Sequence, residues 1–207
     1  MGATSRIAAA SVAAIAWTGL AVQCSVLFRQ NSSLLLTLWI VLGFFTITSN
    51  LLVAIVFSCI AADRTGLRSG WIVAGTMLSI LLVGIIYALL LHGSNELTGG
   101  SAVANVLLHM VTPVALPFYW LLFTRKGSLA WRHPLLWALY PLAYLAYALA
   151  RGAATGKYPY PFLNVAALGW QRTALNATCI AAGFLLAGFA IVWLDVWLDR
   201  RAAKPAN

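Results

Sequence analysis

The sequence predicts an all-α protein, a polytopic membrane protein that forms one domain over residues 1–207 with a bundle of six transmembrane helices. Three observations predict this class. Hydrophobic residues make up 62% of the chain and charged residues only 8%, whereas about a quarter of the residues of a soluble domain are charged. The apolar residues are gathered into long runs, and their high proportion excludes a disordered chain, which needs low hydrophobicity. The cations lie between the runs, where they orient a membrane protein rather than bind nucleic acid.

Six apolar runs are long enough to cross a hydrocarbon core of about 30 Å, which takes roughly 20 residues per helix. The predicted spans cover residues 7–28, 34–62, 71–91, 102–124, 131–150 and 173–198. The first run is too long for a secretory signal, and Gln23 before Cys24 does not fit a lipoprotein cleavage site. We therefore predict that the first run is a span.

The cations outside the spans predict the orientation of the chain. If both termini, the second loop and the fourth loop share one side, that side carries nine of the 13 Lys and Arg residues. These nine are Arg6, Arg64, Arg68, Arg125, Lys126, Arg132, Arg200, Arg201 and Lys204, and the other four are Arg29, Arg151, Lys157 and Arg172. The positive-inside rule then places both termini in the cytoplasm.

The fifth loop carries more charge and more aromatic residues than a simple connection needs. Residues 151–164 include two prolines, two glycines and three aromatic residues, and the loop begins with Arg151 on the outer side. Such a segment is stiff and specific in shape, so we predict that it folds back over the outer mouth of the bundle as a cap. The alternative is an interfacial belt, because Tyr and Trp are enriched at both surfaces of a membrane.

Polar residues inside the spans are few, and two groups of them share a depth. His109 lies well inside the fourth span, and Asn105 shares its helix face four residues earlier. Thr46 and Asn50 share a face of the second span in the same way. Counting the helical rise from the outer ends predicts that Thr46 and His109 meet, with Thr48 as the poorer fit.

A threonine and a histidine in contact indicate acyl transfer. A hydroxyl becomes a nucleophile when a neutral imidazole takes its proton. The oxyanion that forms needs hydrogen-bond donors, which Asn50, Asn105, Arg151 or Tyr158 could supply. The alternative is structural, because Ser and Thr in spans usually bond to their own helix, and a lone histidine can bond to a backbone carbonyl.

Two other functions compete with hydrolysis. A small transporter or lipid-binding protein could use the same polar pocket, although the chain shows no internal repeat and no inverted pair of interrupted helices. A haem-binding electron carrier needs axial ligands on facing helices, and only His109 is deep enough.

Three segments carry a resemblance to a known family. They are Phe44-Phe45-Thr46 followed by Asn50-Leu51-Leu52, Asn105-Val-Leu-Leu-His109 running into Pro113 and Pro117, and Gly156-Lys-Tyr-Pro-Tyr-Pro-Phe-Leu163. Their order and spacing over nearly the whole chain resemble the androgen-induced protein family of multi-span membrane threonine hydrolases. The chain is similar to the bacterial branch of this family, which implies a bacterial cytoplasmic membrane.

The resemblance implies an activity and two site residues. Animal members hydrolyse fatty acid esters of hydroxy fatty acids with an intramembrane threonine and histidine and no cofactor. By position, His109 matches the family histidine and Thr46 the nucleophile. The gap from threonine to asparagine is one residue longer here, which leaves Thr48 as the alternative nucleophile. The implied partners are the lipid bilayer and a long-chain acyl ester, and nothing in the sequence indicates an oligomeric state.

Overall fold

The computed structural model describes residues 2–93 and 97–202, and every regular element in these ranges is a helix. The chain divides into two compact units after Arg125. Lys204, one of the nine cations that predict the orientation, lies outside the described residues.

The first unit contains six α-helices, two π turns and a short 3₁₀ turn, Thr65–Arg68. The helices are α1 (Ala3–Asn31), α2 (Leu34–Val41), α3 (Phe45–Ala61), α4 (Gly70–Ile86), α5 (Gly99–Val106) and α6 (Thr112–Phe123). The first π turn, Tyr87–Leu91, continues α4, and the second, Leu107–Val111, joins α5 to α6. Helix α1 packs against α3 and α5, and α4 packs against α3 and α6.

Small side chains let α1 pack closely against its neighbours. Ala9 and Ala16 are fully buried in the face of α1 that packs inward. A Cβ atom on Gly19 would lie only 2.7 Å from the Cδ2 atom of Leu108, in the second π turn. Helices in membranes associate through such small residues, because close backbone approach maximises van der Waals contact. Helix α1 therefore supports the turn that carries His109.

The second predicted span, residues 34–62, is not one straight helix. Its two halves, α2 and α3, are bent by 96° at the break between them. Gly43 lies in the break, where its low helix propensity weakens the run. Phe44 is extended, with φ −103° and ψ 132°, and α3 begins directly after it. Thr46 consequently lies in the first turn of a new helix.

The second π turn surrounds His109, and local chemistry accounts for it. Pro113 has no N–H group, so it cannot donate to the carbonyl of His109 as residue i+4 of an α-helix would. Thr112 instead donates its hydroxyl to the carbonyl of Leu107, at 2.8 Å. π turns inside α-helices are frequent at functional sites.

The second unit consists mainly of two helices. They are α7 (His133–Thr155) and α8 (Val165–Ala202), and a short 3₁₀ turn, Pro161–Leu163, precedes α8. Helix α8 is interrupted at Gly169, whose φ of 74° is accessible to glycine at little cost. The predicted sixth span, 173–198, lies after this interruption. Helices α7 and α8 pack against each other.

Four described helical segments are long and apolar enough to cross a membrane. They are α1, α4 with its π turn, the continuous Gly99–Phe123 segment, and α8, and the bent α2–α3 pair would make a fifth. Helix α7 is not among them, although it has 23 residues. Its tyrosines, prolines and histidine lower its mean hydropathy. The all-helical fold is therefore confirmed and its long apolar helices are compatible with an integral membrane protein, while the count of six spans is not confirmed.

Candidate functional site

Thr46 and His109 are in contact. The hydroxyl Oγ1 of Thr46 lies 3.2 Å from Nε2 of His109, although 63 residues separate them in the chain. Thr46 is 7% exposed in the first turn of α3, and His109 lies at the centre of the second π turn. The predicted meeting of these two side chains is confirmed.

The other ring nitrogen of His109 fixes the direction of this hydrogen bond. Its Nδ1 lies 3.2 Å from the backbone carbonyl oxygen of Asn105. A carbonyl oxygen only accepts, so Nδ1 carries the proton of the neutral ring and Nε2 is the acceptor. Thr46 therefore donates its hydroxyl to Nε2. This is the geometry that a general base needs to take a proton from a nucleophile.

Asn50 joins the two helical segments that carry the pair. Its Nδ2 group donates to the carbonyl of Thr46 at 2.8 Å and to the carbonyl of Leu108 at 3.1 Å. Both amide hydrogens are thereby used, and Oδ1 is buried without a hydrogen-bond partner in the described part of the chain. Of the two roles predicted for Asn50, this geometry favours orienting the pair over holding an oxyanion.

Asn105 contacts a residue that the sequence did not single out. Its Nδ2 group donates to the hydroxyl oxygen of Tyr87 at 2.6 Å. The ring of Tyr87 lies on that of His109, with centroids 4.6 Å apart and an angle of 31° between the ring planes. The ring of His92 makes a T-shaped contact with the same tyrosine, with centroids 5.7 Å apart. Tyr87 thus connects the first π turn to Asn105 in α5 and to His109 in the second π turn.

A glycine one turn before Tyr87 allows this contact. A Cβ atom on Gly84 would lie 2.8 Å from Cβ of Pro113 and 3.4 Å from the carbonyl oxygen of His109. Only a residue without a side chain allows α4 to approach this closely. Residues three apart share a helix face, so the same approach brings Tyr87 to the imidazole.

Thr48, the alternative nucleophile, has a different environment. Its hydroxyl donates to the carbonyl of Phe45, in its own helix, at 3.1 Å. Thr48 thus makes the hydrogen bond to its own helix that is usual for threonine in a membrane span. Ser79 does the same and donates to the carbonyl of Gly75 at 2.9 Å. Of the two threonines considered, Thr46 is the one that faces His109.

The break in the second span gives Thr46 a favourable electrostatic position. It belongs to the first turn of α3, a helix of 17 residues. The amino end of a helix carries a partial positive charge, which stabilises negative charge nearby by roughly 0.3–1 kcal/mol, and by up to about 2 kcal/mol where it is partly buried. An alkoxide or oxyanion that develops at Thr46 would gain from this field.

The fifth loop folds onto the helices of its own unit. Tyr160 stacks on Phe162 with ring centroids 5.1 Å apart and an interplanar angle of 5°. Asn176 of α8 donates its amide to the carbonyl of Phe162 at 3.0 Å. The stiff, specific conformation that the composition predicted is therefore present.

Of the two residues predicted to bind substrate from the fifth loop, Arg151 lies inside α7, because this helix continues to Thr155, and only Tyr158 lies in the loop. Arg151 donates from Nη1 to the hydroxyl of Tyr147 at 2.9 Å. The ring of Tyr158 packs against Gly152, where a Cβ atom would collide with it. Binding of substrate by Arg151 and Tyr158 stays a prediction.

In the described residues, no three His, Cys, Asp or Glu side chains are grouped so that they could hold a metal ion.

Comparison of the chain with models of protein families, with curated proteins and with solved structures finds no match.

Proposed function

We propose that this protein is an intramembrane hydrolase of long-chain lipid esters, of the fatty acid ester of hydroxy fatty acid type, with Thr46 as nucleophile and His109 as base. The observation that carries the proposal is the continuous arrangement of Thr46 Oγ1, His109 Nε2, His109 Nδ1 and the Asn105 carbonyl, with both contacts at 3.2 Å. The resemblance of the sequence to the androgen-induced protein family, which the same residues carry in part, also supports it.

The reaction has two steps. Thr46 Oγ1 attacks the ester carbonyl carbon while its proton moves to Nε2 of His109, and a tetrahedral oxyanion forms. The bond from carbon to the alkoxy oxygen then breaks, and His109 returns the proton to the departing alcohol. Water next attacks the acyl-threonine ester with His109 again as base, which releases the fatty acid and restores Thr46. The carbonyl of Asn105 stabilises the imidazolium during each step.

Lipid esters are the substrates that best fit the surroundings of the pair. Long leucine side chains are exposed on the same unit, with Leu35 82%, Leu89 74% and Leu122 71% exposed. Exposed apolar surface of this extent is expected to face lipid. A substrate with two acyl tails can then approach through the bilayer, while its ester group reaches the polar residues.

We further propose six spans, with α7 as the fifth, in the bacterial cytoplasmic membrane with both termini in the cytoplasm. The nine-to-four distribution of the 13 cations supports this orientation. Reporter fusions after residue 98 are expected to report the outer side, and fusions after residue 127 the cytoplasmic side. The reverse pattern contradicts the orientation.

Hydrolysis by the purified full-length protein tests the proposal. The protein is reconstituted in lipid nanodiscs and given a fatty acid ester of a hydroxy fatty acid, and the released acid is measured by mass spectrometry. Wild type and His133→Gln are expected to hydrolyse the ester, whereas His109→Ala is expected to lose the activity. An inactive wild type, or a fully active His109→Ala variant, contradicts the proposal.

A lipid or small-molecule transporter or binding protein is the second candidate, and the broken α2–α3 span favours it. Transporters commonly bind substrates at the ends of discontinuous helices. The bend of 96° places the amino end of α3 at Thr46. Uptake or binding of a lipid that survives both Thr46→Ala and His109→Ala would favour this class over hydrolysis.

A further inference from the structure

The proposed hydrolase needs a donor for its oxyanion, and most side chains around the pair already use theirs. Asn50 donates both amide hydrogens to backbone carbonyls. Thr112 and Thr48 each donate their hydroxyl to a carbonyl of their own helical segment. Asn105 directs its amide at Tyr87. A hydrogen-bond donor for the oxyanion beside His109 must therefore belong to another residue.

Tyr87 has such a donor. Its hydroxyl oxygen accepts from Asn105 at 2.6 Å and makes no other hydrogen bond within the described ranges. The phenol proton is thus free to bond to a ligand. A hydroxyl whose oxygen accepts a hydrogen bond becomes a stronger donor, because consecutive hydrogen bonds polarise one another.

The position of Tyr87 is fixed from three directions. Its ring is held against His109, at 4.6 Å between centroids, and against His92 in a T-shaped contact, at 5.7 Å. The close approach of Gly84 to Pro113 sets the distance between the two helices. A donor held this firmly is preorganised, which is what makes oxyanion stabilisation effective in a water-poor site.

We propose that Tyr87 is a further catalytic residue whose phenol O–H donates a hydrogen bond to the oxyanion formed when Thr46 attacks the ester. This assignment rests on the proposed hydrolase function. Tyr87 transfers no proton. The electron pair displaced from the carbonyl π bond resides on the oxygen and is stabilised by the phenol and by the amino end of α3. When the tetrahedral intermediate collapses, the carbonyl re-forms and the hydrogen bond weakens.

The test compares Tyr87→Phe with wild type in the nanodisc assay with a fatty acid ester of a hydroxy fatty acid. Phenylalanine retains the ring that contacts His109 and removes only the hydroxyl. Loss of one oxyanion donor typically lowers kcat about 100- to 1,000-fold, and we expect a fall of that size with KM little changed. Tyr119→Phe is the matched control. The ring of Tyr119 packs on Phe57, with centroids 4.8 Å apart. The Tyr119→Phe variant is expected to be as active as wild type.

A second measurement separates transition-state stabilisation from packing. A long-chain trifluoromethyl ketone forms a tetrahedral adduct with an active-site hydroxyl and so resembles the intermediate. Its inhibition constant is expected to rise in Tyr87→Phe by a factor similar to the fall in kcat/KM, while the thermal unfolding midpoint stays near that of wild type. If Tyr87→Phe does not fold, Asn105→Ala is tested instead, because it removes the hydrogen bond that the Tyr87 hydroxyl accepts. This variant is expected to lower kcat about tenfold, which corresponds to the loss of one hydrogen bond.

The outcomes distinguish the two proposals. A wild type that hydrolyses the ester, with Tyr87→Phe equally active or changed only in KM, overturns the role of Tyr87 and leaves the hydrolase proposal in place. A wild type that neither hydrolyses the ester nor binds the ketone overturns both.

Discussion

The side-chain amide of Asn50 donates to the backbone carbonyl of Leu108, 3.1 Å away, and so ties the helix of Thr46 to the turn of His109. The same amide donates to the carbonyl of Thr46 at 2.8 Å. Leu108 directly precedes His109, so one buried side chain sets the separation between the hydroxyl and the imidazole. The residue that holds the pair in place thus donates its hydrogen bonds to backbone carbonyls and not to the reacting atoms.

Asn50→Leu is expected to keep the volume of the side chain but lose both hydrogen bonds. Each such bond is typically worth about 0.5–1.5 kcal/mol, so the thermal unfolding midpoint should fall and hydrolysis should fall with it. Asn31→Leu is the matched control, because Asn31 donates to the carbonyl of Leu27 near the end of α1, at 2.8 Å. Activity of Asn50→Leu equal to that of Asn31→Leu would contradict the orienting role.

Covalent labelling separates the two candidate nucleophiles. A fluorophosphonate with a long alkyl chain is expected to label wild type and Thr48→Ala but not Thr46→Ala, because only the Thr46 hydroxyl donates to His109 at 3.2 Å. The labelled peptide is identified by mass spectrometry. Labelling lost in Thr48→Ala and retained in Thr46→Ala would move the nucleophile to Thr48, and labelling retained in both would favour the transporter or binding protein.

The meeting of Thr46 and His109 could be predicted from the sequence, although one premise of that prediction was wrong. The count of helical rise assumed a straight second span from residue 34, whereas the chain bends by 96° before Thr46. A single glycine, Gly43, inside a strongly apolar run is a weak signal for such a break, since an isolated glycine is tolerated in a helix. The hydrophobic pattern reports which residues lie in the membrane, not whether the helix is continuous.

Tyr87 could have been found by the same count. It lies four residues before the end of the third predicted span, about 6 Å deep by helical rise, and Asn105 lies three residues into the fourth. Antiparallel neighbours place these residues at a similar depth. A tyrosine near the end of a span is also typical of the interfacial belt, so the sequence alone favours the structural interpretation. The hydrogen bond to Asn105, which only the structure shows, favours a place beside His109 over a purely interfacial role.

Gly84→Ala tests how closely α4 must approach the second π turn. The added methyl group would lie 2.8 Å from Cβ of Pro113, and a proline ring on a helix cannot rotate away. Overpacking of this kind typically costs about 1–3 kcal/mol, and the shift should move Tyr87 from His109. We expect a lower unfolding midpoint and at least about tenfold slower hydrolysis, a change of 1.4 kcal/mol in the barrier.

Gly183→Ala is the control for this substitution. Gly183 lies in α8, and a Cβ atom there would have no neighbour within 4 Å. Alanine stabilises a helix by roughly 0.5–1 kcal/mol relative to glycine. The control variant is thus expected to be as stable as wild type or more so, with unchanged hydrolysis. Equal activity of the Gly84 and Gly183 variants would show that the close approach is not needed.

Arg151 and Tyr158 are predicted to bind the carboxylate or carbonyl of an acyl substrate. Arg151→Ala and Tyr158→Phe are therefore expected to raise KM with kcat little changed. The reason is that each variant loses the same binding energy in the enzyme–substrate complex and in the transition state. For Arg151→Ala the effect should disappear when the substrate carboxylate is methylated. Arg172→Ala removes another cation that is predicted to lie on the outer side and is the control. If Arg151→Ala and Tyr158→Phe both match wild type, the fifth loop is an interfacial belt.

Asp195 is expected to stabilise the second unit without a part in hydrolysis. Its carboxylate is fully buried, and Oδ2 accepts the backbone N–H of Leu129 at 3.0 Å. Burial lowers the pKa of Lys126, and the attraction of Asp195 opposes this change, so the two charges favour each other. Asp195→Leu would leave the N–H of Leu129 buried without its acceptor, which typically costs about 1–3 kcal/mol.

Asp195→Asn keeps a carbonyl oxygen at the same place, so its unfolding midpoint in detergent should lie between those of wild type and Asp195→Leu. If Asp195→Leu unfolds at the wild-type temperature, the bond to Leu129 contributes nothing measurable. If it folds normally but loses hydrolysis, Asp195 belongs to the catalytic machinery instead.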